Sequence, residues 1–304
     1  MLPFAPFSLE TPDTWAAAHA LLTEPGARLV AGGTDLLPSM KHRIFRPGVL
    51  VSTRRLPGLR AVGETPDGGL TLGAGLTLRD VSRLPAVRAR YPALAAACAT
   101  VATPTIQSMA TLGGNLMLDT RCVYYNQPEG WRSSIGGCLK CDGSVCHVAP
   151  KGKGCYAAHS ADTVPVLWLY GARVVLASAA GERTIRMADL YQDDGITWHA
   201  LRPGEVLTRV LLPPPTASVI HRKGRTRAAI DYGYLLVAAS RSPGGYRAVI
   251  SAVGPRPIEV SGGTPELLAE AAFAAVQPLG THLQPAPWRK KLVRVEVRRA
   301  AEAL

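Results

Sequence analysis

No stretch of this chain is apolar for long enough to cross a bilayer. The best run, Val164 to Ala180, is broken by Gly171 and Arg173 and falls short of the roughly 20 residues a spanning helix needs. The N-terminus, Met1-Leu2-Pro3-Phe4-Ala5, lacks a basic region followed by an apolar one. No secretory signal is therefore expected, and a cytoplasmic location is. No repeat at solenoid or propeller period is evident. Acidic residues are in short supply, with 22 Asp and Glu against 34 Lys and Arg, a formal net charge of +12. A basic surface suits nucleic acid, a phosphate-bearing ligand or an acidic partner. The positive charge is spread along the chain, denser at His221–Arg227 and Arg289–Arg299. No zinc-finger, helix-turn-helix or RNA-binding motif accompanies it, so nucleic acid is not expected.

What is present is an ordinary globular balance, 47% hydrophobic and 18% charged over 304 residues, enough for two domains. The 30 glycines and 25 prolines punctuate short elements and form no low-complexity tract. Thr11-Pro12-Asp13-Thr14 predicts a helix start, with Thr11 as N-cap and Pro12 in the first helical position. Strands are expected at Arg28–Ala31 and Val49–Ser52 with a helix start at Leu36-Leu37 between them, a small β-α-β unit. A strand follows at Leu70–Ala74, then helices at Leu78–Leu84 and Tyr91–Val101. On the second of these helices Cys98 shares a face with Leu94, Ala97 and Val101, as a small buried hydrophobe would. The run Val164–Tyr170 fits helix or buried strand. A hairpin is expected around Ala180-Gly181 and a strand over Val206–Leu212. Pro213-Pro214-Pro215 is the best boundary, since it continues neither a helix nor a central strand. Strands at Tyr234–Ser240 and Tyr246–Val253 and helices at Pro265–Ala275 and Pro287–Leu304 complete the chain. The order reads as α/β over residues 1–215, then a smaller α+β part over 216–304.

Two glycine turns stand out. Ala31-Gly32-Gly33-Thr34-Asp35 lies between a strand and a helix start, and Thr111-Leu112-Gly113-Gly114-Asn115 follows Thr103-Pro104-Thr105. Glycines let backbone amides approach a phosphate closely. Neither turn is a Walker sequence or a Gly-x-Gly-x-x-Gly fingerprint, and each alone reads more readily as structural. A pair of them in one α/β domain suggests a dinucleotide with two ends to hold.

Five of the six cysteines fall in one loop, with the spacing Cys122-x15-Cys138-x2-Cys141-x4-Cys146-x8-Cys155. In a chain that is not exported, such clustering favours metal over disulfides. Four thiolates are the usual ligand set for an iron–sulfur cluster or a structural zinc. Only Cys138/Cys141 forms the tight pair a zinc ribbon repeats, and ferredoxin spacing is absent, so spacing leaves cluster and zinc both open. The loop's Tyr124, Tyr125, Trp131 and Tyr156 argue against disorder.

The two turns and their spacing resemble the flavin subunit of the xanthine dehydrogenase and molybdenum hydroxylase family. Leu72-Gly73-Ala74-Gly75, Asp162-Thr163-Val164-Pro165, Arg222-Lys223, Asp231-Tyr232 and Val253-Gly254-Pro255-Arg256-Pro257 extend the likeness along the chain. The resemblance implies an FAD-binding domain of two α/β subdomains followed by the α+β C-terminal domain. Ala31, Gly32, Gly33, Thr34, Asp35, Thr111, Gly113, Gly114 and Asn115 would hold the diphosphate and ribityl groups, with Asp162 and Lys223 near the flavin. Family members pass almost directly from the Gly-Gly-Asn turn to the Asp-x-x-Pro segment. Here Leu118 to Ser160 intervene. That insertion resembles the one in the β subunit of 4-hydroxybenzoyl-CoA reductases, which carries a 4Fe–4S cluster. The likeness rests on Asp119-Thr120-Arg121-Cys122-Val123-Tyr124-Tyr125, Trp131-Arg132 and the later cysteines. It implies Cys122, Cys138, Cys146 and Cys155 as ligands and leaves Cys141 surplus, although a Cys-x-x-Cys reading would choose Cys141.

The activity so implied belongs to a molybdenum-containing complex acting in aromatic compound degradation by reductive dehydroxylation. Electrons would pass from ferredoxin through 4Fe–4S and FAD on this chain to 2Fe–2S clusters on a small subunit and molybdopterin on a large one. The assembly implied is a heterohexamer, a dimer of heterotrimers. Two alternatives are an FAD subunit of a hydroxylase for a purine, N-heterocycle or aromatic acid, and a zinc-stapled binding module.

Overall fold

The computed structural model describes residues 2–227 and 230–304; Met1, which opens the N-terminal stretch read above, and Ala228 and Ala229 lie outside the described residues. The chain begins with β1 (Ser8–Glu10), α1 (Trp15–Leu22), β2 (Arg28–Val30), α2 (Leu36–Lys41) and β3 (Val49–Ser52). The three strands are parallel in the order β1-β3-β2, because helical crossovers return the chain to the same end of the sheet each time. The expected β-α-β unit thus gains β1, too short to leave an alternating pattern. The first helix does not start at Thr11-Pro12. Thr14 is extended (φ −124°, ψ 151°) and its side chain accepts a hydrogen bond from the Ala17 N–H, satisfying a first-turn donor that Thr11 is too far back to reach.

The next elements are β4 (Val62–Glu64), β5 (Leu70–Gly73), α3 (Leu78–Arg83), α4 (Pro85–Arg90), α5 (Pro92–Ala99), α6 (Pro104–Gln107), α7 (Leu112–Leu116), α8 (Glu129–Ser134), α9 (Val164–Leu169), β6 (Arg173–Ser178), β7 (Gly181–Arg186) and β8 (Val206–Leu212). Their strands form one antiparallel sheet, β4-β5-β8-β6-β7. The ambiguous run after the cysteine loop is helix α9. Pro165 sits in its first turn, where no N–H is needed, and the whole of Val164–Leu169 is buried. Cys98 on α5 is fully buried beside Leu94 and Ala97, and burial raises its thiol far above the usual range.

The last part is an antiparallel sheet, β12-β11-β10-β9, made of β9 (Val219–Gly224), β10 (Leu235–Ser242), β11 (Gly245–Ser251) and β12 (Ile258–Gly262). Two helices, α10 (Pro265–Ala275) and α11 (Ala286–Glu302), pack against it through Leu268, Ala269 and Ala272 of one and Val293, Val297, Ala300 and Ala301 of the other. This is the expected succession of α/β and α+β. Among the described residues, no helix is long and apolar enough to cross a membrane.

The basic stretch Arg289–Arg299 is not the open positive face its composition suggests. Arg289 is fully buried. Its Nε donates to Tyr234 O at 3.1 Å, one terminal nitrogen donates to Leu279 O at 3.2 Å and the other to Ala252 O. Burial lowers its pKa to about 10. Arg294 pairs with Glu270, and Arg299 and Arg222 converge on Glu296.

The base of the cysteine loop is fastened to this last sheet. His159 N donates to Gly254 O at 2.9 Å, and its carbonyl accepts from Ala252 N and Ser251 Oγ. Its ring, fully buried, lies against Tyr191 and Trp198.

Two expectations follow from these buried groups. Arg289→Ala takes the side-chain donor from the Tyr234 and Ala252 carbonyls and opens a void, and should lower unfolding free energy by about 3 kcal/mol or more in guanidinium titrations. Burial pushes the pKa of His159 down to about 3 and that of His221 to about 4. The unfolded chain therefore takes up these protons first, so stability falls as pH drops from about 6.5 toward 4 and rises again with pH. His221→Gln should flatten that slope when unfolding midpoints are measured across the window.

Candidate cofactor site

The two glycine turns meet backbone to backbone. A Cβ on Gly32 would overlap the carbonyl oxygen of Met109, so the first turn can lie against the segment entering the second only as glycine. Gly33 has φ +69°, which side-chain-bearing residues rarely adopt. Among the described residues, the backbone N–H groups of Gly32, Gly33, Thr34 and Asp35 find no acceptor. Four successive open donors at a strand end form a concavity suited to an anion.

The second turn is a correction to the sequence reading: it is a short helix. Thr111 is extended and caps α7, its Oγ1 accepting from Gly114 N at 3.0 Å. Adjacent glycines disfavour helix, so the pattern reads as a turn. Here they are required by contact, since a Cβ on Gly113 would stand 2.7 Å from that of Ala74. Gly113 N donates to Ala74 O and Leu112 N to Leu76 O, fixing α7 on the end of β5.

Asn115, at the end of this segment, reaches across to the far end of the cysteine loop. Its Oδ1 accepts from Thr163 Oγ1 at 2.7 Å and from Thr163 N at 3.3 Å. Beside Thr163, Asp162 pairs with Lys223 at 2.6 Å, and Lys223 also donates to Thr100 O. Burial raises the Asp162 pKa, opposed by the Lys223 ammonium.

These residues surround one cleft of about 880 Å³. Ala31–Asp35, Thr111, Gly113, Gly114, Asn115, Asp162 and Lys223 all stand on its wall, so the structure gathers every residue expected at the cofactor. It adds others that spacing did not reveal. Arg121, from the cysteine loop, forms an ion pair with Asp35 of the first turn. Burial lowers its pKa, and its guanidinium lies 5.8 Å from the Tyr232 ring. Tyr125, Lys140 and His199 also line the cleft. Arg121 and Tyr125 fall inside the quoted Asp119–Tyr125 stretch, but nothing in it tells which way they face.

The insertion is an ordered cap. Its ends are joined by an antiparallel bridge, Arg121 N to Ala158 O at 2.7 Å and Ala158 N to Arg121 O at 2.8 Å. Arg132 on α8 is buried and donates to the carbonyls of His42 and Arg43 just past α2. Cys122, Cys138 and Cys155 form a small apolar cluster with Tyr125 and Ala157. These three and Cys146 border one small cavity of about 10 Å³, whereas Cys141 is outside it, partly exposed, its Sγ donating to Asp142 at 3.2 Å. All six cysteines are free thiols. Burial raises the Cys122 thiol and takes that of Cys155 up to about 11. Among the described residues, no group of three or more His, Cys, Asp or Glu side chains is arranged to hold a metal ion.

Comparison with known proteins fits this geometry. The family described as FAD binding domain in molybdopterin dehydrogenase matches residues 5–215. The aldehyde oxidoreductase FAD-binding subunit PaoB of Escherichia coli K12 is 34% identical over 290 residues, covering 90% of this chain and 91% of that one. The carbon monoxide dehydrogenase medium chain of Afipia carboxidovorans is 28% identical over 319 residues, covering 97% and 96%. The crystal structure of quinoline 2-oxidoreductase from Pseudomonas putida 86 superposes with a TM-score of 0.80 over 99% of this chain and 98% of the other, at 23% identity, a likeness of fold. The chain belongs to the family of FAD-binding subunits of molybdenum hydroxylases, and the cofactor it binds is FAD.

Proposed function

We propose that this chain is the electron-relay subunit of a molybdenum-type oxidoreductase complex, holding FAD in the cleft and a 4Fe–4S cluster on Cys122, Cys138, Cys146 and Cys155. The carrying observation is the juxtaposition of a cleft walled by both glycine turns with a cavity bordered by four free thiols. When bound, the two groups supply coupled one- and two-electron chemistry, which the protein positions and tunes.

For FAD, the open N–H groups of Gly32–Asp35 suit the diphosphate, Gly113–Asn115 supply a second backbone surface, and the buried Asp162–Lys223 pair bears on the flavin side. Arg121 offsets the charge of Asp35, which would otherwise face the diphosphate at close range. The test for the cluster is the donor set itself. A single ion gathers its donors to about 2.3 Å from one point, and no such gathering is present among the described residues. Thiolates around a four-iron body stand farther apart, and four of the five loop cysteines frame one space while Cys141 stands outside it. At about 10 Å³, that space is about the size of one water, so loading the cluster has to spread the irregular loop around it.

The partners proposed are a small subunit with 2Fe–2S clusters and a large molybdopterin subunit, assembled as a dimer of heterotrimers, with the domain boundary of this chain at Pro213–Pro215. The PaoB likeness across nine-tenths of the chain favours an aldehyde as substrate of the complex, electrons leaving the molybdenum subunit through this chain. The resemblance of the cysteine loop supports a second reading, reductive dehydroxylation of 4-hydroxybenzoyl-CoA with ferredoxin as donor. Assay of the intact complex with an aldehyde and an electron acceptor, against the aryl-CoA and reduced ferredoxin, separates the two.

The relay reading is checked by absorbance spectroscopy with flavin and iron analysis of the purified complex. One flavin and four irons are expected for this chain, beyond the iron of the small subunit. Cys122→Ser or Cys146→Ser should lose the four irons with FAD retained, and Cys141→Ser should keep them. Iron that survives Cys146→Ser but not Cys141→Ser would reverse the ligand assignment.

A further inference from the structure

Two residues stand on both cavities: Tyr125 and Lys140 line the FAD cleft and also the space between the thiols. Lys140 is the charged one of the two. Its Nζ lies 2.6 Å from Asp119 Oδ1, 2.5 Å from Thr120 Oγ1 and 4.5 Å from the centre of the Tyr125 ring. The Tyr125 hydroxyl donates to the other oxygen of Asp119 at 2.9 Å. The trio is closed, and both members of the Lys140–Asp119 pair are largely shielded from solvent. The pair is also asymmetric. Asp119 lines the FAD cleft but not the thiol cavity, whereas Lys140 lines both. Lys140 is close enough to the thiols for its charge to act on Cys155.

A redox group gains negative charge on reduction, so a fixed cation beside it favours the reduced form and a fixed anion opposes it. Interior placement keeps such charges from being screened as they would be in water. We infer that the Asp119–Lys140 pair, in the wall shared by the two cavities, is a positioning device that sets the reduction potentials of both groups, Lys140 favouring reduction on both sides and Asp119 opposing it on the FAD side. This rests on the relay reading for the thiol side and on FAD binding alone for the other.

The experiment is redox titration of the purified complex, with flavin followed by absorbance and the cluster by electron paramagnetic resonance, and with flavin and iron content measured in each variant. Lys140→Met leaves the buried Asp119 carboxylate unpaired and should make both potentials more negative. The expected shift is roughly tenfold in the one-electron equilibrium constant, equivalent to 59 mV. Asp119→Asn should move the flavin potential in the opposite direction, and Lys140→Arg, which keeps the charge, should leave both potentials near their starting values. Shifts of opposite sign support the assignment, because mere loosening of the wall has no reason to change sign with the charge removed. Loaded variants whose potentials stay put, or move in the same direction, overturn it. Should Lys140→Met fail to load, Asp119→Asn still decides through the sign of the flavin shift. Unsubstituted complex without the extra iron sinks the cluster reading and the thiol half of this inference. Iron present with potentials indifferent to both charges sinks this inference alone.

Discussion

The side-chain oxygen of Asn115 accepts from both the hydroxyl and the backbone N–H of Thr163, and the arrangement of the cleft depends on that join. The two residues flank the cysteine insertion, so the bond closes a long loop at its base whatever the loop itself does. Closing such a loop costs entropy that grows only slowly with its length. Once Asn115 and Thr163 are held, a large insertion can therefore be carried without displacing the cleft. The Arg121–Ala158 bridge repeats the closure nearer the cysteines, and Arg132 fastens the loop's far side to the end of α2. A segment clamped at three levels is a built part of the domain.

The charges around the cleft are arranged in pairs. Asp35 meets Arg121, Asp162 meets Lys223 and Asp119 meets Lys140. The first two pairs join segments far apart in sequence, the third lies within the insertion, and two of the three bring a cation or carboxylate from the insertion. Taking a lone charge out of water is expensive, and a partner offsets much of that expense. Pairing thus lets the cleft wall carry cations beside a diphosphate-bearing cofactor without stranding them when it is absent. It also shows why the net charge of +12 was a poor guide to function: Arg289 is buried on backbone carbonyls, and Arg222, Arg294 and Arg299 are paired with Glu296 and Glu270.

Much of the architecture was legible because it is written in short-range terms. Pro265 after Thr264 opens α10, the β6–β7 hairpin turns at Gly181, and the proline run ends β8. Strands β9 and β12 and helices α4, α6 and α8 were not foreseen either, but two kinds of omission have a plain physical reason. The strands β1 and β4 are only three residues long and have too few positions to show alternation. The helical form of Leu112–Leu116 is imposed by Ala74 and Leu76, residues distant in sequence, against a local preference for turn. The site divides in the same way. Glycine positions were readable, since closeness of backbones demands glycine wherever it occurs. Arg121, Tyr125 and Lys140 were not, since a charged or aromatic residue in an irregular loop carries no mark of the direction it faces.

The insertion also changes what the family fold can do. A flavin cleft by itself offers one exchange surface. Placing a loop between the segment that ends in Asn115 and the one that begins at Asp162 sets the new residues against the cleft from the outset. Tyr125 and Lys140 are consequently both cleft wall and cage wall. No separate linker has to bring the thiols near the cleft, because the loop's anchor points are themselves on its wall. The same economy exposes a dependence: a substitution that loosens Arg132 or the Arg121–Ala158 bridge disturbs the cage and the Arg121–Asp35 contact together. Within this wall, cofactor binding and thiol geometry are set by the same few residues.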